Sequence, residues 1–297
     1  MSGAAATDFF YREAQRLGYV ARSAFKLLQI QKQYKLINPG SSAILPFSSL
    51  AFAFEPISPG AWLQVACQSL GPLKNGGLVV GIDVKKVKVP SMHCDSRVQT
   101  VCGDVLNLPK SQIRLLSPES KGFSVILSDM CPPITGIAIR DATLSIELGM
   151  RALEFAVGEA VVNQPYDDND VVEGTRSGAE NNDDGMLQPG GNLLIKLLES
   201  QDIQDLLQLC KPLFKRASWL RPKATKSASR EIYLVCQGYN KKQEVPQEQT
   251  TACFLLQTLV RDSQEAQNLI SCSWNAFMSR RPKWKLLTWN HFLDTVV

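Results

Sequence analysis

The stretch at 122–133, GFSVILSDMCPP, constrains the fold of this chain more than any other. Phe123 to Leu127 are apolar or small, and Val125 and Ile126 are β-branched. The chain then turns polar at Ser128 and Asp129 and breaks at Pro132 and Pro133. A short apolar run that ends so abruptly reads as a strand buried on both faces of a parallel sheet. Ligands of open α/β sheets sit just beyond the carboxyl ends of the strands. Asp129 stands at that edge, either as a functional carboxylate or as the cap of the next turn.

The flanking sequence repeats the pattern. Helical spacing is expected over 8–16 and 22–35, where Phe25, Leu28 and Ile30 turn inward and Arg22, Lys26, Lys32 and Lys35 form a basic surface. A first strand belongs within 39–59. Ala43, Ile44 and Leu45 are followed by Pro46, and 50–55 is the segment read as the strand, bounded by Pro46 and Pro56. A short helix follows over 61–70 and ends near Gly71-Pro72. Strands are expected at 78–84, ending in Asp83, and at 98–105, with Asp104 near its end. Helices are expected at 107–116 and 143–162. Gly190-Gly191 launches the strand NLLIKLL with Lys196 in its middle. A helix over 202–210, a basic stretch over 211–230 and a last strand EIYLVCQ over 231–237 complete the series. Strands alternating with helices imply a mostly parallel sheet covered on both faces. Asp83, Asp104 and Asp129 then share one edge, where they suit a ligand with ribose hydroxyls, an exocyclic amine and a positive centre.

Composition narrows the class. The chain has 297 residues, 44% of them hydrophobic, and a net charge of +4, so it supports a full core and only weakly favours an anionic partner. Eight scattered cysteines without a CxxC pair, and only His93 and His291, argue against a zinc site and for a reducing compartment. No apolar run reaches the roughly 18 residues of a membrane span, and the N-terminal segment lacks a secretory core. The segment 163–188 is acidic and poor in large apolar residues, and reads as a disordered insertion. After Tyr239 a polar linker leads to a tail, 240–297, in which Trp274, Trp284 and Trp289 alternate with basic residues. That tail reads as poorly ordered or separately docked.

The local motifs YVARSAFKLLQIQ, PGAWLQVA, VVGIDV, GDV, VILSDM, NLLIKLLES and SREIYLVC resemble, in that order, those of the FtsJ/RrmJ-type RNA 2′-O-ribose methyltransferases. The resemblance covers roughly 8–239. It implies a Rossmann-like fold and S-adenosylmethionine as methyl donor. It maps a catalytic Lys-Asp-Lys-Glu tetrad onto Lys26, Asp129, Lys196 and Glu231. It also implies that Gly60 and Trp62 line the cofactor loop, that Asp83 binds the cofactor ribose and Asp104 its adenine amine, and that Asp129 lies near the methionine end. Lys196 is then the residue that orients or deprotonates the 2′-hydroxyl, with Lys26 and Glu231 assisting. Burial and a neighbouring cation lower such a lysine's pKa, while carboxylates oppose them. Arg12, Arg16, Arg22 and the basic stretch 211–230 would contact RNA phosphates.

The family's first strand ends in an Asp-x-Gly-x-x-Pro-Gly loop, of which only Pro59-Gly60 stands here, with Pro56 in place of a glycine. Proline fixes φ and removes a donor where glycine would let the backbone approach a ligand. The segment is either an alternative exon or a variant with weakened cofactor binding. The compact domain is most similar to the bacterial and organellar branch. That implies a monomer acting on a uridine of large-subunit ribosomal RNA or on the subunit itself, in a mitochondrion or other organelle; the nucleus or cytoplasm is the alternative, since the N-terminal segment carries no clear targeting signal. Transfer-RNA or cap 2′-O-methylation, and a catalytically impaired ribosome-assembly factor, are the alternative readings.

Overall fold

The structure, a computed structural model, describes residues 3–47, 60–105, 107–158 and 185–241. Every described residue belongs to one compact unit, which falls within Met1–Phe254. The strand expected at 50–55, most of the acidic insertion and the tail lie outside the described residues.

Helices α1 (Gly3–Leu17) and α2 (Ala24–Tyr34) open the domain. Gly18, at φ 79°, separates them in a conformation that favours glycine. Strand β1 is Ser42–Pro46, all five residues buried. The first strand therefore lies before the segment read as one from sequence. SAIL is short, but it is flanked on both sides by other strands, and Pro46 closes it at the end where the ladder stops. Next come α3 (Gly60–Ser69), β2 (Leu78–Asp83), β3 (Val98–Cys102), the short α4 (Lys110–Leu115) and β4 (Phe123–Ser128). Then follow α5 (Ala138–Val157), β5 (Leu187–Leu198), α6 (Ile203–Leu213), β6 (Phe214–Leu220) and β7 (Glu231–Tyr239).

The seven strands form one sheet in the order β3-β2-β1-β4-β5-β7-β6. All neighbours pair in parallel except β7, which runs antiparallel to both β5 and β6. The strand order reverses between β1 and β4, which opens the crevice where such sheets bind ligands. Asp129 N donates to Pro46 O across that crevice, at 3.3 Å.

Two details differ from the sequence reading. Gly190-Gly191 does not launch β5 but bulges it: Phe123 pairs with Leu187, and regular pairing resumes at Val125–Asn192. A Cβ on Gly191 would meet Ser124 O at 2.8 Å, so only glycine admits the neighbouring strand. The basic stretch conceals β6, an edge strand. Its Lys215 and Arg216 are exposed, and edge strands carry such charges to discourage further pairing.

Side-chain alternation sorts the sheet into two faces. Ala43, Leu45, Val79, Val125, Leu127, Leu194, Tyr233 and Val235 pack in one core with Leu27 and Ile30 of α2 and Trp62, Leu63 and Ala66 of α3. On the opposite face, Gly149 of α5 sits against Leu197, Ile195 and Leu206, with 2.7 Å from its Cβ position to Leu197. Among the described residues no helix is long and apolar enough to cross a membrane.

Candidate active site

The same alternation decides which polar side chains meet. Asp83 is the last residue of β2, and Asp129 follows β4. Lys196 lies two residues before the end of β5. Glu231 is the first residue of β7, but β7 runs backwards, so Glu231 pairs with Leu198 at the same edge as Asp129. Counting in twos from Leu127, Leu194 and Tyr233 places Asp129, Lys196 and Glu231 on the α2–α3 face. Lys26 projects from α2 onto that face.

Two ion pairs result. Lys196 Nζ lies 2.8 Å from Asp129 Oδ1 and donates to Asp129 O at 2.7 Å, with the two side chains 3% and 8% exposed. Lys26 Nζ donates to Glu231 Oε2, and both side chains are mostly buried. Burial pulls the Lys196 ammonium down in pKa. The carboxylates of Asp129 and Glu231, together with the Cys131 thiol, outweigh it, and the net shift is upward. The sequence reading named both effects without deciding between them; the geometry decides for the carboxylates. Burial likewise pushes the Glu231 carboxyl up, but Lys26 and Lys196 reverse that and hold it below the usual range. Lys26, Lys196, Asp129 and Glu231 thus form one charge cluster that alternates in sign.

Three residues that sequence reasoning did not single out border the cluster. Cys131 is buried and lies within the field of all four tetrad charges; burial chiefly pushes its thiol up. Tyr233 stands directly opposite Lys196 on the neighbouring strand, and its hydroxyl is buried without a hydrogen-bond partner among the described residues. Lys226, named before only as part of a basic stretch, is lowered in pKa by burial and by the nearby cations Arg22 and Lys26. The turn that carries it is tied to α2, because Arg22 donates to Ala224 O at 3.0 Å and Ala224 N to Gln29 Oε1 at 3.1 Å. The spacing that could have revealed Tyr233 is its i, i+2 relation to Glu231, which puts both on one face of a strand.

The residues expected to hold a cofactor fall into two groups. Asp83, fully buried, accepts from Lys85 N at 2.8 Å, and Asp104 Oδ2 accepts from Asn107 Nδ2 at 2.7 Å. Asp83 ends β2 and Asp104 lies two residues past the neighbouring β3, and the two are linked by the Gly103 N to Asp83 O bond of 2.8 Å. Carboxylates here and at Asp129 provide acceptors for hydroxyls and an amine and a negative charge for a cation, so the donor set fits S-adenosylmethionine. Gly60 begins α3, where a Cβ would lie 2.9 Å from Pro90 Cγ. Trp62 is 1% exposed; its indole donates to Ser23 O at 3.1 Å and packs on Tyr233 with ring centroids 6.0 Å apart. That ring is a core pillar beneath the tetrad. The rest of the first loop lies outside the described residues.

Residues 19–239 match the family model described as FtsJ-like methyltransferase. A ribosomal RNA large subunit methyltransferase E of Syntrophobacter fumaroxidans is 32% identical over 228 residues, which span 77% of this chain and 93% of that protein. The protein of the same name from Methanocaldococcus jannaschii is 30% identical, over 79% of this chain and 80% of its own. The fold is similar to the crystal structure of a ribosomal RNA methyltransferase of Plasmodium falciparum, with a TM-score of 0.52 and 22% identity over 74% of this chain and 98% of the other.

Proposed function

Because the chain belongs to the FtsJ-like methyltransferase family, whose members take the methyl group from S-adenosylmethionine, we propose that it methylates a ribose 2′-hydroxyl of ribosomal RNA. The observation that carries this reading is the meeting of Lys26, Asp129, Lys196 and Glu231 at one sheet edge, beside carboxylates suited to a nucleoside. The relatives named for the large ribosomal subunit direct it to that RNA. The finer reading is a uridine of large-subunit RNA, methylated by a monomer in a mitochondrion or other organelle. It rests on the likeness to the bacterial and organellar branch.

S-adenosylmethionine supplies a methyl group on a positive sulfur, already activated for transfer. The protein must then align the hydroxyl and dispose of one proton. Lys196 is an ammonium in this arrangement, with two of its donor directions taken by Asp129. We assign its third N–H to orienting the hydroxyl oxygen. Transfer would form the C–O bond and break the methyl–sulfur bond, leaving a neutral thioether; the hydroxyl would become strongly acidic on the way, so a carboxylate would suffice to take its proton. Asp129 and Glu231 are the carboxylates in reach of the two lysines. Lys26 holds Glu231 in place, and Arg22, Lys26 and Lys226 present positive charge to the phosphates on either side of the ribose. DNA has no hydroxyl to offer.

The test is methyl transfer from labelled S-adenosylmethionine to large-subunit ribosomal RNA, transfer RNA and capped RNA side by side. Transfer to the ribosomal substrate alone is expected. Preferred transfer to either of the others would redirect the assignment.

A further inference from the structure

The loop leading away from Asp129 holds apolar side chains out in water. Ile134, Ile137 and Ile139 are 56%, 58% and 81% exposed. Isoleucine is among the residues most often buried, and three exposed within six residues point to an interaction site. The loop is firmly built. Asp141, itself buried, accepts from Thr135 N at 2.8 Å, from Thr135 Oγ1 at 2.7 Å and from Gly136 N at 3.2 Å. Arg230 donates to Ala138 O at 3.4 Å. The three isoleucines are therefore presented by an ordered scaffold.

Their place relative to the tetrad is set by chain length. Cys131 lies within the field of all four tetrad charges. Ile134 comes three residues later, at most about 11 Å of extended chain. Arg230, the neighbour of Glu231, holds Ala138 between the other two isoleucines, so a nucleotide whose ribose meets Lys196 has its base within reach of this segment. Resting on the reading of an RNA substrate, we propose that Ile134, Ile137 and Ile139 form the platform that receives the base of the nucleotide being methylated, held out of its stack. Enzymes that work on single nucleotides commonly extrude them and pack the base on apolar or aromatic side chains. Sequence-specific RNA recognition mostly targets such unstacked bases. Phosphate is excluded as the occupant, because isoleucine offers no donor and no charge. The side chains also lack any group that reads a base edge. The platform accepts every base, and the choice of nucleotide must be made by the surrounding RNA.

The test uses the full chain and large-subunit ribosomal RNA, with the methylated position mapped first. A synthetic fragment then carries either the intact nucleotide there or an abasic ribose that keeps its 2′-hydroxyl. For the variant I134S/I137S/I139S, kcat/KM on intact RNA is expected to fall tenfold or more, mainly through KM, with S-adenosylmethionine binding by calorimetry unchanged. Wild-type protein should lose a similar factor on abasic RNA, and the variant should lose nothing further there. The variant I134V/I137V/I139V should retain wild-type rates. Undiminished activity of the serine variant, or losses that multiply, would overturn the platform. So would a serine variant that fails only on assembled ribosomal subunits, which would assign the isoleucines to a protein partner. Wild-type protein that methylates no RNA would instead overturn the substrate reading.

Discussion

Lys196 is a cation in surroundings that oppose cations, and the carboxylates of Asp129, first, and Glu231 keep it charged. Asp129 contacts it through both side chain and backbone oxygen. Replacing Asp129 with Asn leaves the burial and removes the largest part of the compensation, with Glu231 remaining. The Lys196 pKa should then fall below that of the wild type, as read by NMR titration of the lysine side chain; an unchanged or higher value would contradict the account. The same change leaves a buried charge unpaired, which costs about 3–5 kcal/mol. Lys196→Ala should lower methyl transfer by about 100-fold or more, the scale of losing a group that aligns the reacting atoms, while cofactor binding persists. Tyr233→Phe is a contrasting case. Its hydroxyl makes no hydrogen bond among the described residues. Removing it should leave the denaturation midpoint unchanged or raise it, since an unpaired buried hydroxyl costs roughly 1–3 kcal/mol. A clear drop in midpoint would mean that the hydroxyl has a partner in solution.

At the scale of elements, α3 fastens the Lys26-bearing segment to the rest of the domain. Gln64 is fully buried and has all its polar atoms engaged. Its Oε1 accepts from Val20 N at 2.9 Å, and its Nε2 donates to Gly18 O and Met92 O, each at 2.9 Å. One turn on, Gln68 Oε1 accepts from the Tyr19 hydroxyl at 2.7 Å, and Gln68 Nε2 contacts His93 Nδ1 at 2.8 Å. His93 Nε2 reaches Leu17 O at 2.7 Å; a carbonyl only accepts, so the ring carries its proton there. Gln64→Leu orphans three backbone groups, at roughly 1–3 kcal/mol for each that stays unpaired. The denaturation midpoint should fall, and hydrogen exchange across 18–26 should quicken. Exchange at the wild-type rate would mean that the helices dock by apolar contact alone.

This scale also shows what could be read from the sequence. VVGID and FSVILS announce themselves by unbroken apolar runs, which only a doubly covered strand supports. The antiparallel turn of β7, which brings Glu231 to the ligand edge, leaves no local mark. Only pairing with Leu198 and Lys196 from far along the chain creates it. Strand β6 was hidden because an edge strand needs half the burial of a central one and carries charge instead. SAIL is passed over as the first strand because it is shorter than the apolar run that follows Pro46, and its burial between two neighbouring strands is invisible in one dimension. Of the site, the four tetrad side chains stood out by motif. Cys131, Tyr233 and Lys226 did not, since ordinary core and surface positions look the same in sequence.

For the whole molecule, the two ion pairs bound the pH range of full stability. The folded Glu231 pKa is lowered, so its contribution is complete above the unfolded value of about 4.3 and is lost as pH falls through the folded value. The folded Lys196 pKa is raised, so its contribution is complete below about 10.4 and is lost as pH climbs beyond that through the folded value. Glu231→Gln should flatten the dependence of stability on pH below about 4; an unchanged slope would exclude Glu231 from the acid transition. The central claim is that the methyl group is placed on a ribose. Alkali cleaves RNA through its 2′-hydroxyls, so a methylated ribose protects its own linkage. Large-subunit ribosomal RNA labelled by the purified protein with methyl-tritiated S-adenosylmethionine should, after alkaline hydrolysis, carry its label in resistant dinucleotides. Label recovered in mononucleotides would place the methyl on a base and contradict the account.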